Sequence, residues 1–300
     1  MDWQNYFFGI DKESVRFLLY GAFLRVQWKY GFFISHASQM FRRRDFSVLI
    51  LQHNLVKYMN KKAIHIISYD KINQSAMPVI ILGGAGDGLV VLEILRRMMQ
   101  AGSALSPAGF LNDSLSPGDH ISGLPVLGNL ESWMTLPEHC LFIPALHKVK
   151  AMPARAARIQ SLGIPENRWT NAIDPNAVLA QGTKFGVGCN IGAYAVIQPG
   201  AKLGSFLSIR AGANIGHDCT VEDFSYIGPN CVMCGGALMK KAAYMAPGAV
   251  LANNVRLGAF AVLGAASAGL KDIPDGAVAL GNPARIIEHQ FILSLNRVTS

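Results

Sequence analysis

From Ala172 to Ser267 the chain can be cut into sixes without a single insertion: AIDPNA, VLAQGT, KFGVGC, NIGAYA and onward to VLGAAS. The second place is apolar in all sixteen hexads, from Ile173 to Leu263, and the sixth is Ala, Ser, Thr or Cys in fourteen, Leu207 and Val255 excepted. A period of six fits neither a helix, with about 3.6 residues per turn, nor the two-residue alternation of a lone strand. It fits a solenoid of short strands that turns a corner every six residues. The aliphatic side chain fills the inside, and the small one sits where the wall bends. Three faces make an eighteen-residue coil, so the 96 residues predict a little over five coils of parallel β-helix.

The repeat also accounts for an unusual composition. Hydrophobic residues make up 51% of the 300 and charged residues 15%, against about 25% charged in an ordinary soluble domain. Only ten of the 96 repeat residues are charged. Faces so bland are not expected to stand wholly in water, which predicts an oligomer. A membrane-spanning reading fails: the apolar stretch Phe17–Phe41 is broken by Arg25 and Lys29, and no uncharged run reaches roughly 18 residues. Asp2, Asp11 and Glu13 stand where a secretory signal needs basic residues. Of five cysteines, Cys189, Cys219 and Cys231 occupy the small sixth place, which points to packing in a reducing, cytoplasmic compartment and away from a disulfide framework. Cys231-Val-Met-Cys234 spells CxxC, but one pair without a second is a weak metal or redox signal, so no metal site is assigned.

Residues 78–171 read differently. Val79–Leu82 is a short buried strand, followed by Gly83-Gly-Ala-Gly86-Asp-Gly88 and a helical stretch from Leu89 toward Gly102. A second strand, Gly109–Asp113, ends on an acidic residue 25 positions beyond Gly88. Strand, glycine turn and helix place backbone N–H groups and a helix N-terminus where a phosphate can sit, with the acid near a ribose or base. Glycines also make tight turns in ligand-free folds, so the loop alone is a weak signal. Apolar segments at Leu124–Leu127 and Leu141–Leu146, then a helix from Ala154 to Leu162 opened by Pro153, complete a parallel α/β unit. It is about half a dinucleotide-binding fold, which favours a mononucleotide over NAD.

A small glycine-loop α/β domain running directly into uninterrupted hexads resembles the sialic-acid O-acetyltransferase and bacillosamine-type sugar N-acetyltransferases, a family of hexapeptide-repeat acyltransferases. The likeness covers about 78–290 and includes Gly281-Asn-Pro-Ala-Arg285 at that family's closing G-x-P-A-[KR]. It implies a half-Rossmann-like nucleotide-binding domain (78–171) followed by a left-handed parallel β-helix (172–287) and a tail (288–300). It further implies a homotrimer with active sites between neighbouring prisms, a nucleotide-linked sugar held by the front domain, and acetyl-CoA as co-substrate along the β-helix. Gly84, Gly86, Asp87, Gly88 and Asp113 are then the candidate nucleotide-sugar residues. Two positions depart from the family pattern: Asp87 stands in the loop where His is common, and Asp174-Pro175 replaces a frequent His-Pro.

Between Ala172 and Ile287 there is one histidine, His217, followed by Asp218. Acetyl transfer from a thioester to an amine or hydroxyl needs a base to remove the acceptor's proton, and an imidazole suits that task at neutral pH. The resemblance implies that His217 is that base and that the acid beside it modulates it. Side chains adjacent on a strand point to opposite faces, which leaves Asp218 open between partner of His217 and turn residue. The resemblance makes Gly235, which matches a family glycine ten residues past Phe224-Ser225, the candidate oxyanion donor, and Gly264, farther along the helix, a candidate acetyl-CoA contact. A single histidine cannot build the three-imidazole zinc site of hexapeptide-repeat carbonic anhydrases. The reading is an acetyl-CoA-dependent N-acetyltransferase of a nucleotide-activated amino sugar in surface-glycan synthesis. An O-acetyltransferase of a sialic-acid-like sugar and a non-catalytic nucleotide-sugar scaffold are the alternatives. The motifs do not name the sugar or its nucleotide.

Residues 1–77 carry eleven Lys/Arg against five Asp/Glu, and 15 of the 27 aromatics. The formal net charge of +8 is therefore mostly a property of this segment, and no nucleic-acid-binding signature accompanies it. Three readings of it stand side by side: an extension ahead of a true start at Met77, a membrane-surface anchor using Arg42-Arg-Arg44, or an additional packed subdomain.

Overall fold

The computed structural model describes residues 76–84, 86–146 and 151–287, which belong to one of two units of the chain, Tyr69–Ser300. The readings of residues 1–75 and 288–300 lie outside the described residues. The unbroken apolar run Val79–Leu82 has no exposed face, which suits a central parallel strand covered on both sides. It lies in β1 (Met77–Gly83), followed by α1 (Asp87–Gln100), β2 (Leu105–Leu111), the hairpin β3 (His120–Ile121) and β4 (Leu124–Gly128), β5 (Leu141–Ala145) and α2 (Met152–Ser161). The sheet order is β3-β4-β2-β1-β5, parallel except for the β3–β4 hairpin. Strand β2 starts earlier than Gly109, because a register shift opposite Val79 and Ile80 accommodates Pro107 in the ladder. Helix α1 buries Val91, Leu92, Ile94 and Leu95, an amphipathic stripe at helical spacing.

From Ala172 onward the hexads fold as the left-handed β-helix that their period implies. Two-residue strands occupy the first two places of every hexad but the one at Lys184, from β6 (Ala172–Ile173) to β21 (Ala268–Gly269). Each pairs with the strand one coil away, Ser208 with Tyr226 and Asn214 with Val232, giving three sheets of eight, six and four strands. Second-place residues such as Ile191, Ile209, Ile215 and Ile227 form the interior together with sixth-place Cys189, Cys219 and Cys231. The hexad at Lys184 makes only a single bridge to Lys202, and the prism runs one hexad past Ser267. Its last coil is shortened, with β22 (Val278–Gly281) pairing to Val262–Leu263 and β23 (Ala284–Ile286) returning antiparallel.

The corners hold a feature that composition hides. From Gly182 onward the fifth place of the hexad is left-handed whether it carries Gly or not: Tyr194, Phe206, Asp218, Phe224 and Phe260 have φ from 57 to 62°. Bulky residues rarely tolerate this region. Here Phe206 is held by stacking on Phe224, with centroids 4.8 Å apart, and by an edge contact with Trp169 at 5.0 Å.

The α/β unit covers the eight-stranded face. The outward first-place residues Asn190, Ser208 and Tyr226 are buried there, and Phe142, Trp169, Phe224 and Tyr226 share one core. Helix α1 is tied to the first coils at both ends. Asp87 at its start faces Arg210 at 3.2 Å, and Arg97 near its end faces the fully buried Asp174 at 3.0 Å.

Candidate active site

A cleft of about 720 Å³ opens where β1, β2 and β5 end, between the glycine loop and α2. This is where parallel α/β sheets hold ligands. Its walls include Gly84, Gly86, Asp87, Asn112, Asp113, Arg155 and Arg158. Gly84 leaves room for Asn112, whose Nδ2 donates to the Gly83 carbonyl at 3.0 Å; a Cβ on residue 84 would overlap that amide. Asp113 is already engaged: Oδ1 accepts from the Leu130 N–H at 2.9 Å and Oδ2 from Arg158 at 3.1 Å. Arg158 also reaches Glu131, whose carboxyl its guanidinium holds below the ordinary range. Arg155 makes no ion pair among the described residues, and its Nε is buried without a hydrogen-bond partner.

His217 lies elsewhere, at the corner between Asn214–Ile215 of the six-stranded sheet and Thr220–Val221 of the four-stranded sheet. That corner is opposite the face the α/β unit covers, so one copy of the chain does not bring cleft and imidazole together. His217 Nδ1 and Asp218 Oδ2 are 2.9 Å apart, both side chains well exposed. The strand rule that would separate adjacent side chains does not apply here. Asp218 is the left-handed corner residue, with φ 58°, and the turn brings its carboxylate back to the ring. It therefore serves as both turn residue and partner. The imidazole packs on the next coil, where a Cβ at Gly235 would lie 2.6 Å from its Cε1. The Asp218 carboxylate packs on the preceding coil, where a Cβ at Gly200 would overlap it. The Gly235 N–H makes no hydrogen bond among the described residues.

No protein-family model matches the chain, and no curated protein does. Among solved structures it is similar to a perosamine N-acetyltransferase from Caulobacter crescentus, in complex with CoA and GDP-perosamine. That match has 26% identity over 70% of this chain and 97% of that one, with a TM-score of 0.61. The acetyltransferase domain of PglB from Neisseria gonorrhoeae FA1090, with acetyl coenzyme A, matches at 23% identity over 71% and 100% of the two chains, TM-score 0.61. WeeI from Acinetobacter baumannii AYE matches at 23% over 70% and 100%, TM-score 0.60.

The fold is that of the hexapeptide-repeat sugar N-acetyltransferases. The chain is thereby placed among the acetyltransferases.

Within this acetyltransferase fold, Gly84, Gly86, Asp87 and Asp113 do share one cleft. Gly88 does not line it: buried in the first turn of α1, it lets the helix approach Phe110, which a Cβ would meet at 3.3 Å. Asp87 turns its Oδ1 to Arg210. Gly264 commits its N–H to the Ala279 carbonyl at 2.9 Å and lies against Leu280. Reading the sequence missed Asn112, Arg155, Arg158 and Arg210. The spacing of Arg155 and Arg158 on a helix, three apart and hence on one face, was the available signal for two of them. Gly200 could have been found by counting one coil back from Asp218.

Proposed function

We propose that the protein is an acetyl-CoA-dependent N-acetyltransferase of a nucleotide-activated amino sugar, with His217 as general base. The observation that carries this is the His217–Asp218 contact beside the unpaired Gly235 N–H, in a fold whose relatives are solved with CoA and a nucleotide amino sugar. Asp218 accepts the Nδ1 proton, which leaves Nε2 as the proton acceptor. The neutral acceptor amine attacks the thioester carbonyl while His217 Nε2 takes its proton. The Gly235 N–H faces the resulting oxyanion. As the C–S bond breaks, the imidazolium returns the proton to the departing CoA sulfur. No covalent enzyme intermediate is needed.

The nucleotide part occupies the cleft, its diphosphate between the start of α1 and Arg155, in the field that a helix N-terminus supplies. Because cleft and His217 lie on opposite sides of one prism, the complete site takes its base from a second copy, and a homotrimer closes this arrangement. Of the outward first-place residues of the six-stranded face, Val178, Val196, Val232, Val250 and Ala268 are apolar and Asn214 is polar, a mostly apolar face that suits burial between copies. The test is free CoA release with a panel of UDP- and GDP-linked amino sugars. At least one should turn over with the wild type, with the rate lost in His217→Ala. No turnover with any of them, or an unimpaired His217→Ala, overturns the reading.

A further inference from the structure

Asp87 is a carboxylate on the wall of a cleft assigned to a diphosphate, at the first residue of a helix whose N-terminus should attract anions. Left alone it would repel the ligand and compete for the same helix field. Arg158 cannot compensate, since it is spent on Asp113 and Glu131. Among the described residues, the opposite charge that meets Asp87 is Arg210, on the third coil. Its Nη1 stands 3.2 Å from Asp87 Oδ1, with the side chains only 11% and 21% exposed. The angle makes no hydrogen bond, so the attraction is Coulombic. Arg210 is held in turn with its guanidinium 5.9 Å from the Tyr226 ring centroid, and Tyr226 stacks on Tyr244 with centroids 4.4 Å apart. Burial raises both phenols, so they stay neutral and do not compete with Asp87 for the cation.

We propose that Arg210 is a positioning residue for nucleotide binding: it draws the Asp87 carboxylate toward the β-helix and cancels its charge, so that a nucleoside diphosphate can sit at the start of α1. The proposal rests on the nucleotide-sugar reading of the cleft. The same device explains why the loop can carry Asp in place of His: the charge it adds is matched across the boundary between α1 and the coil. Asp174, the second departure, is matched in the same way by Arg97.

Two roles for Arg210 predict opposite signs. If it only straps α1 to the coil, losing either partner weakens binding equally. If it neutralises Asp87, the two losses act in opposite directions. The experiment titrates UDP and GDP into the full-length protein by calorimetry at 50 mM and 500 mM NaCl. Arg210→Gln should weaken binding about tenfold at low salt and by less than about threefold at high salt, where the exposed repulsion is screened. Asp87→Asn should tighten binding about twofold or more, and the double variant should return to within about threefold of wild type. Should Arg210→Gln fail to fold, Arg210→Lys and Asp87→Asn carry the test, the first binding as wild type and the second more tightly. Weaker binding by Asp87→Asn, or a double variant no better than Arg210→Gln, overturns the proposal. A wild-type protein that binds neither UDP nor GDP overturns the nucleotide reading of the cleft itself.

Discussion

Gly235→Ala isolates the placement of the base from the stability of the fold. The Gly235 backbone is not in the left-handed region, so alanine can adopt its conformation without strain. The three atoms nearest the added carbon all belong to the His217 imidazole: Nε2, Cε1 at 2.6 Å and Cδ2 at 3.0 Å. Restoring a carbon–carbon contact of about 3.5 Å moves the ring by about 1 Å. The imidazole is 62% exposed, so it can swing outward with little loss of packing. A stability change under about 0.5 kcal/mol follows, which shifts melting by at most about 2 °C. A base misplaced by about 1 Å costs on the order of 100-fold, equivalent to about 2.7 kcal/mol of barrier. Free-thiol release under saturating co-substrates, beside a thermal melt, reads both quantities. In a His217→Ala background, itself slower by about 100- to 10,000-fold, the alanine should add no further loss. A Gly235→Ala enzyme within twofold of wild type would refute the reasoning, as would an additive loss in the double variant.

Three further outcomes rest on the same structure. Asp218→Gly keeps the left-handed corner without strain and removes only the carboxylate, so kcat should fall by at least about tenfold with an unchanged melt; Asp218→Ala should add a turn cost of about 1 kcal/mol. Arg97→Gln strands the fully buried Asp174 side chain and should cost about 3 kcal/mol in urea unfolding, most of it recovered when Asp174→Asn is added. Burial pushes the Cys231 thiol from 9.0 up to about 11 and Cys189 to about 12, so peptide mapping after alkylation of the native protein at pH 8 should find both unmodified. Because these folded values are raised, their contribution is fully present below pH 9 and is lost as pH climbs toward 11–12. Cys231→Ala, with the residue the hexads usually carry at that place, should flatten this alkaline decline.

The α/β unit was legible as strand, glycine turn and helix because buried parallel strands advertise themselves as unbroken apolar runs such as Val79–Leu82. The chemistry was half legible. His217 stood out as the only histidine of the repeat, but the alternation rule for strands pointed its neighbour the wrong way, because a corner and not a strand carries both. The corners themselves were hidden, since the fifth place holds Tyr, Phe, Asp, Asn, Ala or Gly indifferently. The coil imposes that conformation, and packing such as Phe206 on Phe224 sustains it.

By itself, the sequence determined the β-helix. A period of six with an apolar second place is a one-dimensional property, and a chain with that pattern buries its aliphatic residues only by turning three corners per coil. The tertiary structure alone decided which charges meet. Asp87 with Arg210 and Arg97 with Asp174 are 123 and 77 positions apart, beyond the reach of any local rule. It also decided that the cleft and the His217 corner face opposite sides of one prism, because the α/β unit covers one of its three faces.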